Sequence, residues 1–100
     1  MTFDEFFHST QVADRPPFNL PLALQALWYD KRNGWQQAHE FLGDGTDPES
    51  AWVHAYLHRR EGDMSNARYW YDRARQPECT SELDAEWRQI AGALLQDLAK

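Results

Sequence analysis

The chain has 100 residues, the size of one domain. Its 42% hydrophobic and 26% charged residues are typical of a globular protein and exclude a disordered one. The net charge of −6 argues against nonspecific binding to nucleic acid or to an anionic membrane. Cys79 is the only cysteine, which excludes an intramolecular disulfide. With no signal peptide and no apolar run long enough for a membrane span, the sequence predicts a cytoplasmic protein.

Residues 1–19 form a predicted N-terminal arm. Thr2 and Glu5 match a capping box, which predicts a short helix from Phe3 to His8. Pro16-Pro17 then favours an extended segment. Because four phenylalanines would be costly to leave in water, we expect the arm to pack on the helical body or on a partner. These are Phe3, Phe6, Phe7 and Phe18.

The first predicted helical hairpin covers residues 20–42. Asn19 is expected to cap its first helix, with Pro21 in the first turn, where no backbone donor is lost. Asn33-Gly34 predicts a tight turn. The second helix is expected to end at Gly43, a common residue type after the last helical turn.

A second predicted hairpin covers residues 46–76. Thr46 and Glu49 match another capping box at its start. Its first helix is expected to end at Gly62, and Asp63 to cap the helix that follows.

A last helix is predicted over residues 80–99, beginning at Thr80 or Ser81. Apolar residues recur on it every three or four positions and form an amphipathic stripe. We expect this helix to cap the second hairpin. Its apolar face, like the N-terminal arm, could also form the contact of a homodimer. The stripe contains Leu83, Trp87, Ile90, Leu94 and Leu98.

The two hairpins form an internal repeat. With a shift of 29 residues, Ala26 aligns with Ala55 and Ala38 with Ala67. The segment EGDMSNARYWYDRA resembles the turn and second helix of a tetratricopeptide repeat, in which paired small residues let two helices pack closely. This resemblance implies an all-α fold of two antiparallel hairpins that binds proteins or peptides. The pattern AWVHAYLHR…EGD…NARYWY also resembles small uncharacterised bacterial proteins, which implies no activity.

A polar stripe on the first helix of the second hairpin is a candidate site. This helix is apolar around most of its circumference, except for a sector with Ser50, His54, His58 and Glu61. Two histidines four residues apart can bind one metal ion, with Glu61 and either His39 or Glu40 of the first hairpin as further ligands. That arrangement predicts a small metal-binding or hydrolytic protein. The alternatives are that both histidines hydrogen-bond to Asp, Glu or Tyr groups inside the bundle, or that they face another ligand.

The arginine-rich stretch that follows offers a second surface. Tyr69 and Arg73 are predicted to face outward, and an exposed tyrosine beside an arginine suits peptide recognition. The alternative is a solvated face on which arginines pair with nearby acidic residues. No complete catalytic motif is present. The sequence therefore favours a non-enzymatic interaction module without a cofactor, with divalent metal binding as the alternative. The predicted binding residues are His54, His58, Arg59, Glu61, Tyr69 and Arg73.

Overall fold

A computed structural model describes residues 1–17 and 19–99 of the chain. These residues form six α-helices and no strands, which confirms the predicted all-α fold. None of the six helices is long and apolar enough to cross a membrane. The arm residue Phe18 lies outside the described residues. The helices are α1 (Phe3–Val12), α2 (Leu22–Lys31), α3 (Trp35–Leu42), α4 (Pro48–Arg60), α5 (Met64–Ala74) and α6 (Leu83–Leu98).

Two helical hairpins form the body of the protein. Helix α2 packs against α3, and α4 packs against α5, so both predicted hairpins are confirmed. Short turns of three residues join the helices of each hairpin. All four repeated alanines are completely buried, and the two members of each pair share one apolar cluster. The small side chains therefore lie where the paired helices need to approach closely.

Helix α4 is the centre of the fold. It packs against α2, α3, α5 and α6, and every residue from Ser50 to Leu57 except Trp52 is buried. A helix that is apolar around most of its circumference is expected in such a position. The polar stripe of α4 is therefore held largely inside the protein.

The N-terminal arm packs on the helical body, as expected. Phe6 is completely buried, with its ring 5.8 Å from the ring of Trp87 on α6. The arm helix runs four residues beyond the predicted end at His8. Within this extension the hydroxyls of Ser9 and Thr10 donate to carbonyls one turn earlier, both at 2.6 Å.

Two predicted caps are confirmed, and the cap predicted for α4 is wrong. The capping box at the start of α1 is present, and Asp63 caps α5. At α4, however, the cap is Asp47 and not Thr46. The Asp47 side chain accepts the amide of Ser50 at 3.0 Å, in place of the predicted bond from the amide of Glu49 to the hydroxyl of Thr46.

Helices α2 and α6 also begin later than predicted. Asn19 has a left-handed backbone with φ of 65°, which does not suit a helix cap, and Pro21 takes that position. The residue before the first turn of α6 is Glu82, whose backbone is extended and whose side chain makes no capping hydrogen bond, and not Thr80 or Ser81. The carbonyl of Ser81 accepts from an arginine of α4, so this residue belongs to a tertiary contact before the helix.

Candidate histidine site

Three histidines meet where α3 packs against α4. His39 comes from α3, whereas His54 and His58 lie one turn apart on α4. We call these three residues the histidine cluster. One nitrogen from each ring lies within 4.8 Å of one nitrogen in each of the other two. The structure therefore joins the two histidines of the predicted stripe with the histidine predicted from the first hairpin.

His54 is the innermost member of the cluster. Only 2% of the residue is exposed, and neither ring nitrogen has a hydrogen-bond partner. A buried polar group without a partner costs about 1–3 kcal/mol, so such groups are rare in folded proteins. The expectation that His54 hydrogen-bonds inside the bundle is therefore wrong for this residue. Its two free nitrogens call for a partner of another kind.

The surroundings of His54 keep its ring neutral. Its pKa is lowered from 6.5 to about 4, first by burial and then by the neighbouring His39 and His58. A contact with the backbone of Gly43, which does not reach ordinary hydrogen-bond geometry, and the carboxylate of Asp44 act in the opposite direction. At pH 7 the ring is uncharged and keeps a free lone pair, which is the form that binds metal ions.

Two tryptophans form walls of the histidine cluster. The ring of Trp35 stacks on His39, with centroids 5.2 Å apart and planes 14° apart. The ring of Trp70 stacks on His54 at 4.1 Å and 15°. Trp35 is itself fixed, because its Nε1 donates to the carbonyl of Leu57 at 2.7 Å. These contacts restrict the orientation of two of the three imidazole rings.

Glu61 contacts the third ring. Its Oε1 lies 2.7 Å from Nδ1 of His58. When Nδ1 carries the proton and donates it to this carboxylate, Nε2 of His58 is left with a free lone pair. Glu61 was predicted as a possible metal ligand together with His54 and His58. In the structure it belongs, with Asp63, to a separate group around His58.

Arg59 lies apart from the histidine cluster. Its Nη1 is 2.8 Å from Oε1 of Glu86 on α6, and its Nη2 donates to the carbonyl of Ser81. Glu86 is 1% exposed and also accepts the hydroxyl of Tyr71. Arg59 is thus part of an interior ion pair that joins α4 to α6. The neighbouring acidic residues suggested by the sequence are not its partners.

Tyr69 and Arg73 lie on the outer face of α5. Tyr69 is 53% exposed, and the guanidinium of Arg73 lies 5.6 Å from its ring centroid. The same guanidinium lies 5.7 Å from the ring of Trp70, the residue that stacks on His54. Trp70 therefore separates the buried histidine cluster from the exposed pair of Tyr69 and Arg73.

The sequence analysis missed both tryptophan walls and the buried carboxylates. A signal for one wall is present, because Trp35 and His39 are four residues apart on one helix and must lie on the same face. No comparable signal links Trp70 to His54 or Arg59 to Glu86, since each pair joins different helices. Comparison of the chain with protein-family models, with curated proteins and with solved structures finds no match.

Proposed function

We propose that the protein binds a divalent transition metal ion of the zinc class through His39, His54 and His58. The observation that carries the proposal is the buried ring of His54, whose two nitrogens lack hydrogen-bond partners beside two further imidazoles. Imidazole nitrogen is a preferred ligand of zinc, copper, nickel and iron. A bound ion would supply a partner for one of these two nitrogens.

The spacing of the histidine cluster fits a metal ion after a small adjustment. Zinc–nitrogen bonds of about 2.0–2.1 Å place tetrahedral ligand nitrogens about 3.3 Å apart. The three nitrogens here lie within 4.8 Å of one another. Each ring would have to move toward the centre by less than about 1 Å, which side-chain rotation and small helix shifts can supply.

In this proposal Glu61 orients a ligand and does not coordinate the ion. Metal-binding histidines commonly donate their second ring nitrogen to a carboxylate, which fixes the tautomer and makes the other nitrogen a better donor. The 2.7 Å contact between Glu61 and Nδ1 of His58 has this form. It would direct Nε2 of His58 toward the metal ion.

Metal titration of the untagged protein tests the proposal. We expect Zn²⁺ to bind with a stoichiometry of one per chain, measured by calorimetry and by metal analysis after gel filtration. The substitutions His54→Ala and His58→Ala should each abolish this binding. His8→Ala is the matched control, because His8 is the remaining one of the four histidines and lies exposed on the arm helix.

Two outcomes would contradict metal binding by the cluster. One is the absence of stoichiometric binding by the wild-type protein, and the other is unchanged binding by the two α4 variants. Circular dichroism establishes whether each variant is folded. If His54→Ala does not fold, His39→Ala takes its place, since His39 is only partly buried and its loss leaves no large internal cavity.

A second candidate function is that of a cytoplasmic, tetratricopeptide-like module that binds proteins or peptides. The half-exposed ring of Tyr69 beside the guanidinium of Arg73 favours it, since this pair can contact an apolar group and a carboxylate together. A fluorescent polyglutamate peptide is a suitable probe. Tyr69→Ala and Arg73→Ala should weaken its binding, whereas Arg15→Ala, on the exposed arm, should not. Equal binding by all these variants would contradict this function.

A further inference from the structure

The histidine cluster offers a metal ion three protein ligands and no fourth. Among the described residues, the group of ligand atoms within 4.8 Å of one another that includes His54 consists of His39, His54 and His58. Closed structural zinc sites have four protein ligands, whereas sites with three keep one position for solvent or an added ligand. A four-coordinate metal ion bound by these three histidines would therefore have one coordination position without a protein ligand.

The carboxylates near the histidine cluster are directed elsewhere. Glu61 contacts Nδ1 of His58 at 2.7 Å and does not belong to the group of ligand atoms formed with His39 and His54. Asp63 groups with Glu61 and His58, and its side chain also accepts the amide of Asn66 at the start of α5. Asp44 acts on His54 electrostatically but lies outside the group of ligand atoms. None of these carboxylates completes the site.

Charge favours an anion at the open position. Three neutral imidazoles leave the full double positive charge of a divalent ion uncompensated. The rings of Trp35 and Trp70 and the burial of His54 keep water away from two of the ligands. In such weakly hydrated surroundings a cation attracts an anion far more strongly than it does in bulk water.

We propose that the metal-loaded histidine cluster binds a small anion directly at its fourth coordination position. This inference rests on the proposed function of metal binding. The ligand is limited to a few atoms, because His54 is 2% exposed and the His58 side chain only 12%. Hydroxide, azide and a short carboxylate belong to this class.

Cobalt substitution of the full-length protein tests the open position. Co²⁺ bound by three imidazoles gives visible absorption bands that change when its fourth ligand changes. We expect sodium azide to shift these bands with a saturable dependence on concentration. Sodium perchlorate at the same ionic strength is the control, because perchlorate is a very weak ligand and should leave the bands unchanged.

The possible failures are distinguishable. If Co²⁺ gives no protein-bound bands, the proposed metal site itself is wrong. If the bands form but azide leaves them unchanged, metal binding stands and the open position is wrong. The variants Asp44→Asn and Glu61→Gln then identify the occupant, because removal of a coordinating carboxylate would change the bands and make them sensitive to azide.

Discussion

Helix α4 carries buried polar side chains on two sides, and their environments differ. Toward α6, Arg59 pairs with the buried Glu86 at 2.8 Å, and Glu86 also accepts the hydroxyl of Tyr71. Toward α3, the ring of His54 is buried to the same degree and has no hydrogen-bond partner. The first region satisfies its polar groups from within the protein, whereas the second does not.

A further buried carboxylate, Asp30 on α2, also lies beside α4. It is 2% exposed and accepts the hydroxyl of Tyr56 at 2.8 Å, while its Oδ1 makes no hydrogen bond and lies 3.4 Å from Nε of Arg60 in an ion pair. Burial raises the pKa of Asp30, and the tyrosine bond and Arg60 oppose this effect. The adjacent residues Arg59 and Arg60 therefore each reach a buried acid, one on α6 and the other on α2.

Arg59 and Glu86 are paired inside the protein and stabilise the fold, whereas the nitrogens of His54 have no internal partner and are available to bind a ligand. A buried ion pair with added hydrogen bonds joins helices, and loss of one partner leaves an unpaired charge. A buried imidazole without hydrogen-bond partners forms no such link between helices. It lowers the free energy of unfolding of the metal-free protein until a ligand binds to it. The contrast predicts opposite mutational behaviour for the two regions.

The largest effect is expected from removal of Arg59. Arg59→Leu leaves Glu86 buried and unpaired, which should lower the free energy of unfolding by about 3–5 kcal/mol. Urea denaturation of the metal-free protein measures it. Arg68→Leu is the control, because its pair with Glu78 is exposed and contributes at most about 1 kcal/mol. If Arg59→Leu lowers the free energy of unfolding by less than Arg68→Leu does, the pair of Arg59 and Glu86 does not stabilise the fold.

Acidification should destabilise the metal-free protein through His54. Its pKa is about 4 in the folded state and 6.5 without burial, so the unfolded chain binds more protons between these values. The cost of keeping this buried ring unprotonated is absent above about pH 6.5 and grows as the pH falls toward 4, so stability falls over this range. The loss reaches about 3 kcal/mol. The groups acting on the ring are His39, His58 and Asp44.

Urea titrations at a series of pH values, with a chelator present, measure this loss. His54→Leu should remove it, because leucine does not titrate. His8→Ala is again the control, and its stability should keep the wild-type pH dependence. If the free energy of unfolding depends on pH in the same way in the wild-type and His54→Leu proteins, the pKa of His54 is not lowered by burial.

Zinc should stabilise the wild-type protein and leave His54→Leu unaffected. A free metal concentration one hundred times the dissociation constant raises the free energy of unfolding by about 2.7 kcal/mol. The same substitution in the metal-free protein should keep stability or raise it by about 1–2 kcal/mol, since it removes an unpaired buried polar group. Thermal unfolding with and without Zn²⁺ measures both effects. If His54→Leu instead strongly lowers the stability of the metal-free protein, the ring of His54 stabilises the fold in the way that Arg59 and Glu86 do.

The smallest effect is expected for Glu61. Glu61→Gln keeps the shape of the side chain but removes the charge that holds the proton on Nδ1 of His58, so zinc affinity should fall about tenfold. Calorimetry at pH 7 measures the change, and Glu40→Gln is a control on the exposed part of α3. A complete loss of binding would instead make Glu61 a direct ligand.

Local sequence signals accounted for most of the helices. The turns at Asn33-Gly34 and Gly62, the capping box of α1 and the cap at Asp63 all act within a few residues and were found. The errors lie where neighbouring residue types compete for one role. Asp47 and Thr46 are both good caps, and only the path of the α3–α4 loop selects the aspartate.

The candidate site was only partly predictable for a related reason. The spacing of His54 and His58 places both on one face of α4, so their proximity follows from helix geometry. His39 was one of two possible additions from the first hairpin, the other being Glu40. The role of Arg59 was not recognised, because its partner Glu86 lies 27 residues away on α6. Sequence spacing does not show which of several carboxylates a long side chain reaches.

The sequence by itself determined the all-α class, the two hairpins and the alanine pairs, because helix periodicity, turn residues and small-residue spacing act over one or two helical turns. Only the tertiary structure decided which polar groups are satisfied. The packing of α6 against α4 gives Arg59 a buried acid, whereas the packing of α3 and α5 against α4 gives His54 aromatic walls and other imidazoles. Whether a buried group has a partner depends on helices that are distant in sequence, and no local pattern encodes it.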